Sequence, residues 1–367
     1  MANHLEGSSI IPTSLTSLAD LAEPIDPPVE RELTAAALAV DGRADRAIRL
    51  AVGVGQWLPQ PAAGATWQRW RSLAALAIGD LTAARVVEAH TDALAILHEA
   101  ADDPDIQRVP LDAIGVQPDS TWGVFAAEGP GVRVDARQVG DQWLLTGTKP
   151  WCSLADRLSH ALITAHTGDG TRRLFAISLR GATVRATADA WVARGLVDVP
   201  SGPIDLEDCA AVPVGPDGWY LRRPGFAWGG IGVAACWYGG AVGIARTLRN
   251  AMNSKPPDQI ATMHLGAVDA ALSAARALLG EAAVQIDGTP VAPAAAALLA
   301  GRVRAVVARA AEEVVVRAGH TLGPAPLALD ERHARRIADL TLYLRQHHAE
   351  RDEAALGRAV LELDEWI

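Results

Sequence analysis

The sequence has 367 residues, of which 50% are hydrophobic and 21% charged, and its formal net charge is −10. A chain of this size can bury a large core and form two or three domains. The negative charge argues against nucleic-acid binding, since domains that neutralise phosphates are usually basic. The 3 cysteines are far apart in the sequence and odd in number. We therefore expect a protein of the reducing cytoplasm rather than a disulfide-bonded one.

The sequence also argues against metal-binding, secreted and membrane-associated proteins. The histidines form no HExxH motif or other metal-ligand cluster, so no metal site is predicted. The opening residues MANHLEGSS lack the basic start and apolar stretch of a signal peptide. Residues 226–245 carry no charge and are long enough to cross a bilayer. Their many small and aromatic residues fit better a helix buried on all sides within a protein, so no membrane association is expected.

The first part of the chain has a helical pattern. From Pro28 to about Ala101 apolar residues recur at intervals of three and four, and Asp80 is placed to cap the start of a helix. The proline-rich residues 58–64 separate two helices.

A β-rich region of about a hundred residues follows. Short alternating or apolar runs predict strands, and Gly140-Asp141 predicts a hairpin turn between two of them. The predicted strands cover residues 121–127, 132–138, 143–148, 159–165, 173–179 and 182–188.

The last part of the chain is again helical. Long alanine-rich periodic segments predict helices over residues 226–252, 259–285, 292–318 and 330–349, with a short helix from about 353. Four long helices with short connections favour a bundle. The order helices, sheet, helices predicts an α+β fold with an antiparallel sheet rather than a doubly wound parallel sheet.

Four segments resemble the acyl-CoA dehydrogenase family. The most specific is GDQWLLTGTKPWCSLADRLSHALITA at 140–165, which is similar to a strand, a Gly-Thr-Lys turn and the strand that follows. VFAAEGPG at 124–131, ARVVEAHTDALAIL at 84–97 and the helix 228–248 are similar to further family segments. The resemblance implies an N-terminal helical domain at 1–118, a flavin-side β-domain at 119–217 and a C-terminal helical bundle at 218–367.

The resemblance also implies FAD as cofactor, with its isoalloxazine ring held by the β-domain. It implies that Trp151 packs against the flavin edge and that the Ser153 hydroxyl bonds near flavin N5. Backbone around Phe125, Ala126 and Ala127 would line the pyrimidine side of the ring. The residues by themselves leave another interpretation open, in which Trp151 is a core aromatic and Ser153 a turn residue. Lys149 is expected to be structural.

Three parts of the family pattern are absent. The loop after Glu128 is short and lacks the serine expected near ligand phosphates. The Arg-x-x-Phe-Gly segment, whose arginine reaches the FAD diphosphate of a neighbouring subunit, has no match; Arg249 and Lys255 are the available substitutes. The Glu-Gly-Thr motif that supplies the catalytic base is also missing.

The stretch YLRQHHAERDEAALG offers other acid–base groups. His348 and Asp352 are four residues apart and would face each other on a helix, with Glu350 beside them. A carboxylate that orients an imidazole is a common base design. We therefore name His348, Asp352 and Glu350 as candidate catalytic residues. The alternative is a solvated, charge-rich helix end.

Three functions follow from these observations. The first is a flavin-dependent oxidoreductase that oxidises the CH–CH group of an acyl-CoA or related thioester with an altered base. The second uses the same fold and flavin for oxygenation or oxidation of a small molecule. The third is a non-catalytic partner or ligand-binding subunit.

Assembly is predicted from uncovered apolar residues. The helix 259–285 has an apolar stripe, and the helix 226–245 is apolar on all faces. A single bundle cannot cover both, so we expect a homodimer or homotetramer that associates through the C-terminal helices.

Lysine occurs only at positions 149 and 255 among 33 basic residues, which is typical of a GC-rich bacterial genome.

Overall fold

A computed structural model describes residues 28–168, 170–187, 191–254, 256–288 and 291–363. Within these ranges the chain forms four helices, then seven strands, then a second group of helices. This order agrees with the α+β fold expected from the sequence.

The N-terminal helices pack around a buried third helix. Asp80 ends one helix and caps the next, because its carboxylate accepts a hydrogen bond of 2.9 Å from the backbone N–H of Ala83. The third helix is buried along almost its whole length, between the first, the fourth and the bundle helices. The helices are α1 (Pro28–Leu38), α2 (Ala44–Gly55), α3 (Thr66–Gly79) and α4 (Leu81–Asp102).

The strands form one seven-stranded sheet. Most neighbours are antiparallel, as the sequence predicted, but β1 pairs in parallel with β4, and β2 meets β4 through one parallel bridge. Because β4 also pairs with β5, the sheet closes through β5, β7, β3 and β2. The strands are β1 (Trp122–Phe125), β2 (Val134–Val139), β3 (Gln142–Ser153), β4 (His160–His166), β5 (Arg172–Ser178), β6 (Val184–Ala186) and β7 (Ser201–Val214).

The predicted hairpin is present, but one strand was missed. Val139 pairs with Gln142, so Gly140-Asp141 forms the two-residue turn. Strand β7 was not predicted from the sequence, although it pairs with β3, β5 and β6. Its prolines and three acidic residues break the alternating pattern that predicts a strand.

The C-terminal helices form the bundle around α6. This helix is the one in the described ranges that is long and apolar enough to cross a membrane, and 78% of its most apolar window is buried inside the protein. A Cβ added at Gly239 would lie 2.2 Å from the carbonyl oxygen of Ala74, so glycine allows α6 to pack closely on α3. The helices are α5 (Trp219–Arg222), α6 (Pro224–Ser254), α7 (Gln259–Gly288), α8 (Pro293–Leu322), α9 (Pro324–Leu329), α10 (Glu331–Tyr343) and α11 (Glu350–Leu361).

The predicted helix 330–349 is shorter than expected. The α-helix ends at Tyr343, continues as a short 3-10 turn over Leu344–Gln346, and leaves His347 to Ala349 in a connection. Ala349 has φ 48°, a left-handed value that a regular helix does not adopt. The last α-helix then starts at Glu350 rather than near 353.

Candidate functional site

A cavity of about 600 Å³ lies between the sheet and the helices, and we call it the sheet-side cavity. Its volume is within the usual range for small-molecule sites. Strand β3, helix α4 and the end of α10 supply its walls. Its polar and aromatic lining residues include Arg85, Glu88, Asp92, Glu128, Trp151, Ser153, Trp191, Ser201, Tyr220, Tyr343, Arg345, Gln346 and His348.

Trp151 stands out on the sheet wall of this cavity. Its residue surface is 62% exposed although it belongs to a central strand, and its φ is 61°. The pairing of β3 with β7 shifts register between Lys149 and Cys152, so a bulge turns the indole away from the sheet. A left-handed conformation is unfavourable for a bulky residue, and such strain occurs often at ligand sites. The structure thus gives Trp151 an exposed position rather than a core one.

Ser153 is the last residue of β3 and lines the same cavity. Its hydroxyl lies 2.7 Å from that of Ser201 and accepts a hydrogen bond of 3.3 Å from Arg85 Nη2. Ala126 and Ala127, which follow β1, also line the cavity. Phe125 does not: it is 2% exposed and packs into the core, so its side chain has no access to a ligand in this cavity.

Lys149 is buried behind the sheet wall and links its segments through hydrogen bonds. It is 1% exposed, and its Nζ donates hydrogen bonds of 2.7 Å to Glu128 Oε1 and 2.8 Å to Thr164 Oγ1. Burial lowers the pKa of Lys149, although its ion pair with Glu128 opposes that effect. The side chain therefore joins the segment after β1 to β3 and β4.

The opposite wall contains a buried carboxyl group on α4. Glu88 is 7% exposed, and its Oε2 lies 3.3 Å from Arg85 Nη1 and 3.3 Å from the Tyr343 hydroxyl. Burial is the largest influence on Glu88 and raises its pKa to about 7, against the opposing charge of Arg85. A carboxyl group with this pKa can hold or release a proton near neutral pH.

Asp92 lies one helical turn further along α4 and also faces the cavity. Burial raises its pKa, although the charges of Arg223 and Arg69 act in the opposite direction. No described residue donates a hydrogen bond to its carboxylate. A Cβ added at Gly229 of α6 would lie 2.6 Å from Asp92 Oδ1, so this glycine makes room for the carboxylate.

A second cavity, of about 620 Å³, adjoins the first, and we call it the helix-side cavity. It lies between α6, α8 and α11. Its lining is more apolar than that of the sheet-side cavity, with alanines and leucines of α8 and α11. The residues that line both cavities are Glu88, Asp92, Tyr220, Val233, Gln346 and His348.

The structure brings two of the three predicted catalytic residues together. His348 Nδ1 lies 3.2 Å from Asp352 Oδ1, and the His348 backbone N–H donates 3.1 Å to Asp352 Oδ2. They do not face each other along one helix, as predicted, because His348 lies in the connection before α11. Partial burial raises the pKa of Asp352, but the hydrogen bonds from His348 outweigh it and the net pKa is lowered. Glu350 is exposed and lines neither cavity.

The α4 residues of the site were not among those predicted from the sequence. Arg85, Glu88 and Asp92 recur at intervals of three and four in α4, so they share one face of the helix. Charged residues inside an apolar helical pattern were the available signal. Of the proposed substitutes for the missing arginine, Arg249 is exposed and lines neither cavity, and Lys255 lies outside the described residues.

Comparisons with known proteins show similarity in structure but not in sequence. No protein-family model matches the sequence, and no curated protein matches it. KijD3 in complex with FMN and an amino-keto-sugar nucleotide superposes with a TM-score of 0.75 at 19% identity, over 92% of this chain and 95% of that one. FMN-bound TdsC from Paenibacillus sp. A11-2 gives a TM-score of 0.75 at 16% identity, over 90% of this chain and 95% of that one.

A nitrososynthase from Micromonospora carbonacea var. africana is a third similar structure, with a TM-score of 0.73 at 17% identity, over 94% of this chain and 100% of that one. These similarities extend over nearly the whole chain. The fold expected from the resemblance is therefore confirmed: the chain has the acyl-CoA dehydrogenase fold, with a β-domain between two helical regions.

Proposed function

We propose that this protein is a flavin-dependent monooxygenase that acts on a small molecule in the sheet-side cavity. One observation carries the proposal: a single cavity has an exposed indole and a serine hydroxyl on its sheet wall and two carboxyl groups, one buried and one half-buried, on its helix wall. A planar ring system needs an aromatic surface to stack on, and a redox centre needs nearby groups that bond and transfer protons.

The residues of the cavity fit a flavin. Trp151 offers an exposed ring face, and Ser153 offers a hydroxyl that can rotate toward a ring nitrogen. We infer FMN rather than the FAD of the sequence expectation. The missing arginine removes a contact to the FAD diphosphate, and the short loop after Glu128 lacks a serine expected near ligand phosphates, whereas FMN has one phosphate. KijD3 and TdsC, which share the fold, have been solved with FMN.

Reduced flavin, when bound, would supply two electrons to dioxygen, so that one oxygen atom enters the substrate and the other leaves as water. The chain itself would position the ring through Trp151 and Ser153. Glu88, whose pKa is about 7, would hold a proton close to the reacting atoms at neutral pH. The apolar side chains of Leu196, Val199 and Leu342 would limit the access of water.

Oxidation of an acyl thioester is the second candidate, and two observations favour it. The resemblance of the sequence is to acyl-CoA dehydrogenases, and either Glu88 or the His348–Asp352 pair could take a proton from the substrate. Removing the proton beside a thioester builds negative charge on the substrate, however. Asp92, a second carboxyl group without a hydrogen-bond partner among the described residues, would oppose that charge. We therefore place oxygenation first.

Oxygen consumption separates the candidates. With FMN kept reduced by a separate flavin reductase, a monooxygenase is expected to insert oxygen into a bound small molecule and to show no flavin reduction by acyl-CoA without oxygen. Anaerobic reduction of the bound flavin by a chain-length series of acyl-CoA thioesters would overturn oxygenation in favour of the second candidate. If the protein bound neither FMN nor FAD, both flavin-dependent candidates would be overturned, and the third function, a non-catalytic partner or ligand-binding subunit, would be favoured.

A further inference from the structure

The junction between the two cavities contains two carboxyl groups, of which Glu88 is paired with Arg85 and Asp92 has no direct cationic partner among the described residues. Glu88 and Asp92 line both cavities, and neither oxygen of Asp92 accepts a hydrogen bond from a described residue. Glu88 uses its Oε2 for both Arg85 and Tyr343, so Oε1 also has no hydrogen-bond partner among the described residues. Partial burial of a carboxylate without a hydrogen-bond partner, such as that of Asp92, has an energetic cost, and a ligand that donates hydrogen bonds to it reduces this cost.

Two arginines that line the helix-side cavity, Arg223 and Arg304, have partners other than Asp92. Arg223 lies 2.5 Å from Glu99 Oε2 and stacks on the rings of Trp219 and Tyr220. Arg304 donates to the carbonyl oxygens of Gly230 and Gln346 and lies 4.7 Å from the centre of the Trp237 ring. The charge of Arg223 acts on Asp92 only through space, so a positively charged ligand group in the cavity would be the first direct partner of Asp92 among the described contacts.

The helix-side cavity adds an apolar space next to this charge. Its walls include Phe226 and Val233 of α6, Ala296 and Ala300 of α8, and Leu356 of α11. Gly229, in the middle of this wall, is the residue that leaves space for the Asp92 carboxylate. A ligand that fits both features has a cationic end and an apolar body.

We propose that the substrate is an amphipathic amine, whose ammonium group binds between Glu88 and Asp92 and whose apolar part occupies the helix-side cavity. The inference deepens the proposed function and rests on it. Two carboxyl groups one helical turn apart can both accept from one ammonium group, which has three donors. The apolar body directs the nitrogen end toward the sheet-side cavity, where the flavin would lie.

The test uses a matched pair of probes, 2-phenylethylamine and 2-phenylethanol, which differ in the charged group. Isothermal titration calorimetry on the FMN-saturated protein is expected to show amine binding at least tenfold tighter than alcohol binding. Asp92→Asn should weaken amine binding roughly ten- to a hundredfold, because a charged hydrogen-bond partner is lost. Asp269→Asn, on an exposed face of α7, should leave it unchanged.

A second variant keeps the Asp92 carboxylate but changes its position. Gly229→Ala forces the Asp92 carboxylate to shift, since the added Cβ would lie 2.6 Å from Oδ1, and should also weaken amine binding. Equal binding of amine and alcohol, no binding of the amine at millimolar concentration, or indifference to Asp92→Asn would overturn the inference. FMN binding, measured separately by quenching of flavin fluorescence, reports on the proposed function and should survive Asp92→Asn.

Discussion

The guanidinium of Arg85 donates a hydrogen bond of 3.3 Å to the hydroxyl of Ser153, and so joins the helix wall of the sheet-side cavity to its sheet wall. The same guanidinium lies 3.3 Å from Glu88 and holds the pKa of that carboxyl lower than burial alone would. One arginine therefore contributes both to the orientation of the serine and to the proton affinity of the glutamate.

Replacing this arginine should change the pH dependence of turnover. In Arg85→Met the pKa of Glu88 is expected to rise by roughly one to three units, because an opposite charge within hydrogen-bonding reach is lost. The rate–pH profile of the flavin-dependent reaction should shift to higher pH accordingly. Arg49→Met, which breaks an exposed ion pair with Asp45, serves as control and should leave the profile in place. An unshifted profile in Arg85→Met would remove Glu88 from the acid–base chemistry.

Glu88 should also make the stability of the protein depend on pH. Its pKa is raised from 4.5 to about 7 in the folded state, so the folded state binds more protons than the unfolded state between these values. The free energy of unfolding contributed by this group therefore falls as pH rises through that window. Relative to the wild type, Glu88→Gln should gain stability between pH 5 and pH 8 by up to roughly 3 kcal/mol.

Urea unfolding of both proteins at several pH values measures this difference. Glutamine keeps an oxygen that can accept from Tyr343, so the comparison isolates the charge. A stability difference that stays constant from pH 5 to pH 8 would contradict the raised pKa.

Most of the local patterns in the sequence correspond to elements of the structure. The Asp80 cap, the Gly140-Asp141 turn and most of the helical periods describe interactions within a few residues and are present, whereas the predicted helix 330–349 ends early, at Tyr343. Strand β7 was missed because its partners are far away in the sequence and its own pattern is irregular.

The candidate site was less predictable, because it depends on which residues meet across the fold. Trp151 and Ser153 could be named from the resemblance, and both line the cavity. The contact of Glu88 with Tyr343 joins residues 255 positions apart, which no local pattern reveals. The resemblance implied a contact through the backbone around Phe125, which stays a prediction, whereas strand alternation turns the Phe125 side chain into the core.

His348 remains a candidate for proton transfer. Its ring lines both cavities and contacts Asp352, although 66% of its side chain is exposed. His348→Ala should lower turnover by about 10²–10⁴-fold while FMN stays bound, as is typical for loss of an acid–base group. His98→Ala removes an exposed histidine paired with Asp102 over 3.1 Å and is the matched control. Equal turnover in both variants would favour the alternative interpretation, in which His348 and Asp352 belong to a solvated, charge-rich helix end without a catalytic role.

Self-association through the C-terminal helices also stays a prediction. Ile260 and Met263 of α7 are 61% and 49% exposed, and Val316 of α8 is 53% exposed. Light scattering at micromolar concentration should give two or four times the chain mass of 38.5 kDa. The double change Ile260→Asp and Met263→Asp should reduce that mass, whereas Val139→Asp on β2 should not. A wild-type mass of one chain would contradict the prediction.

Binding of FMN to wild type and Trp151→Gly is the most direct test of the flavin site. Glycine accepts the φ of 61° at this position, so the variant removes the indole and keeps the backbone. Loss of a stacking surface should weaken FMN binding by roughly two- to twelvefold, measured by quenching of flavin fluorescence. Trp57→Ala, which removes a tryptophan 44% exposed outside both cavities, should bind FMN as the wild type does. Saturable binding that weakens in Trp151→Gly alone is the predicted result, and unchanged binding in Trp151→Gly would place the flavin elsewhere.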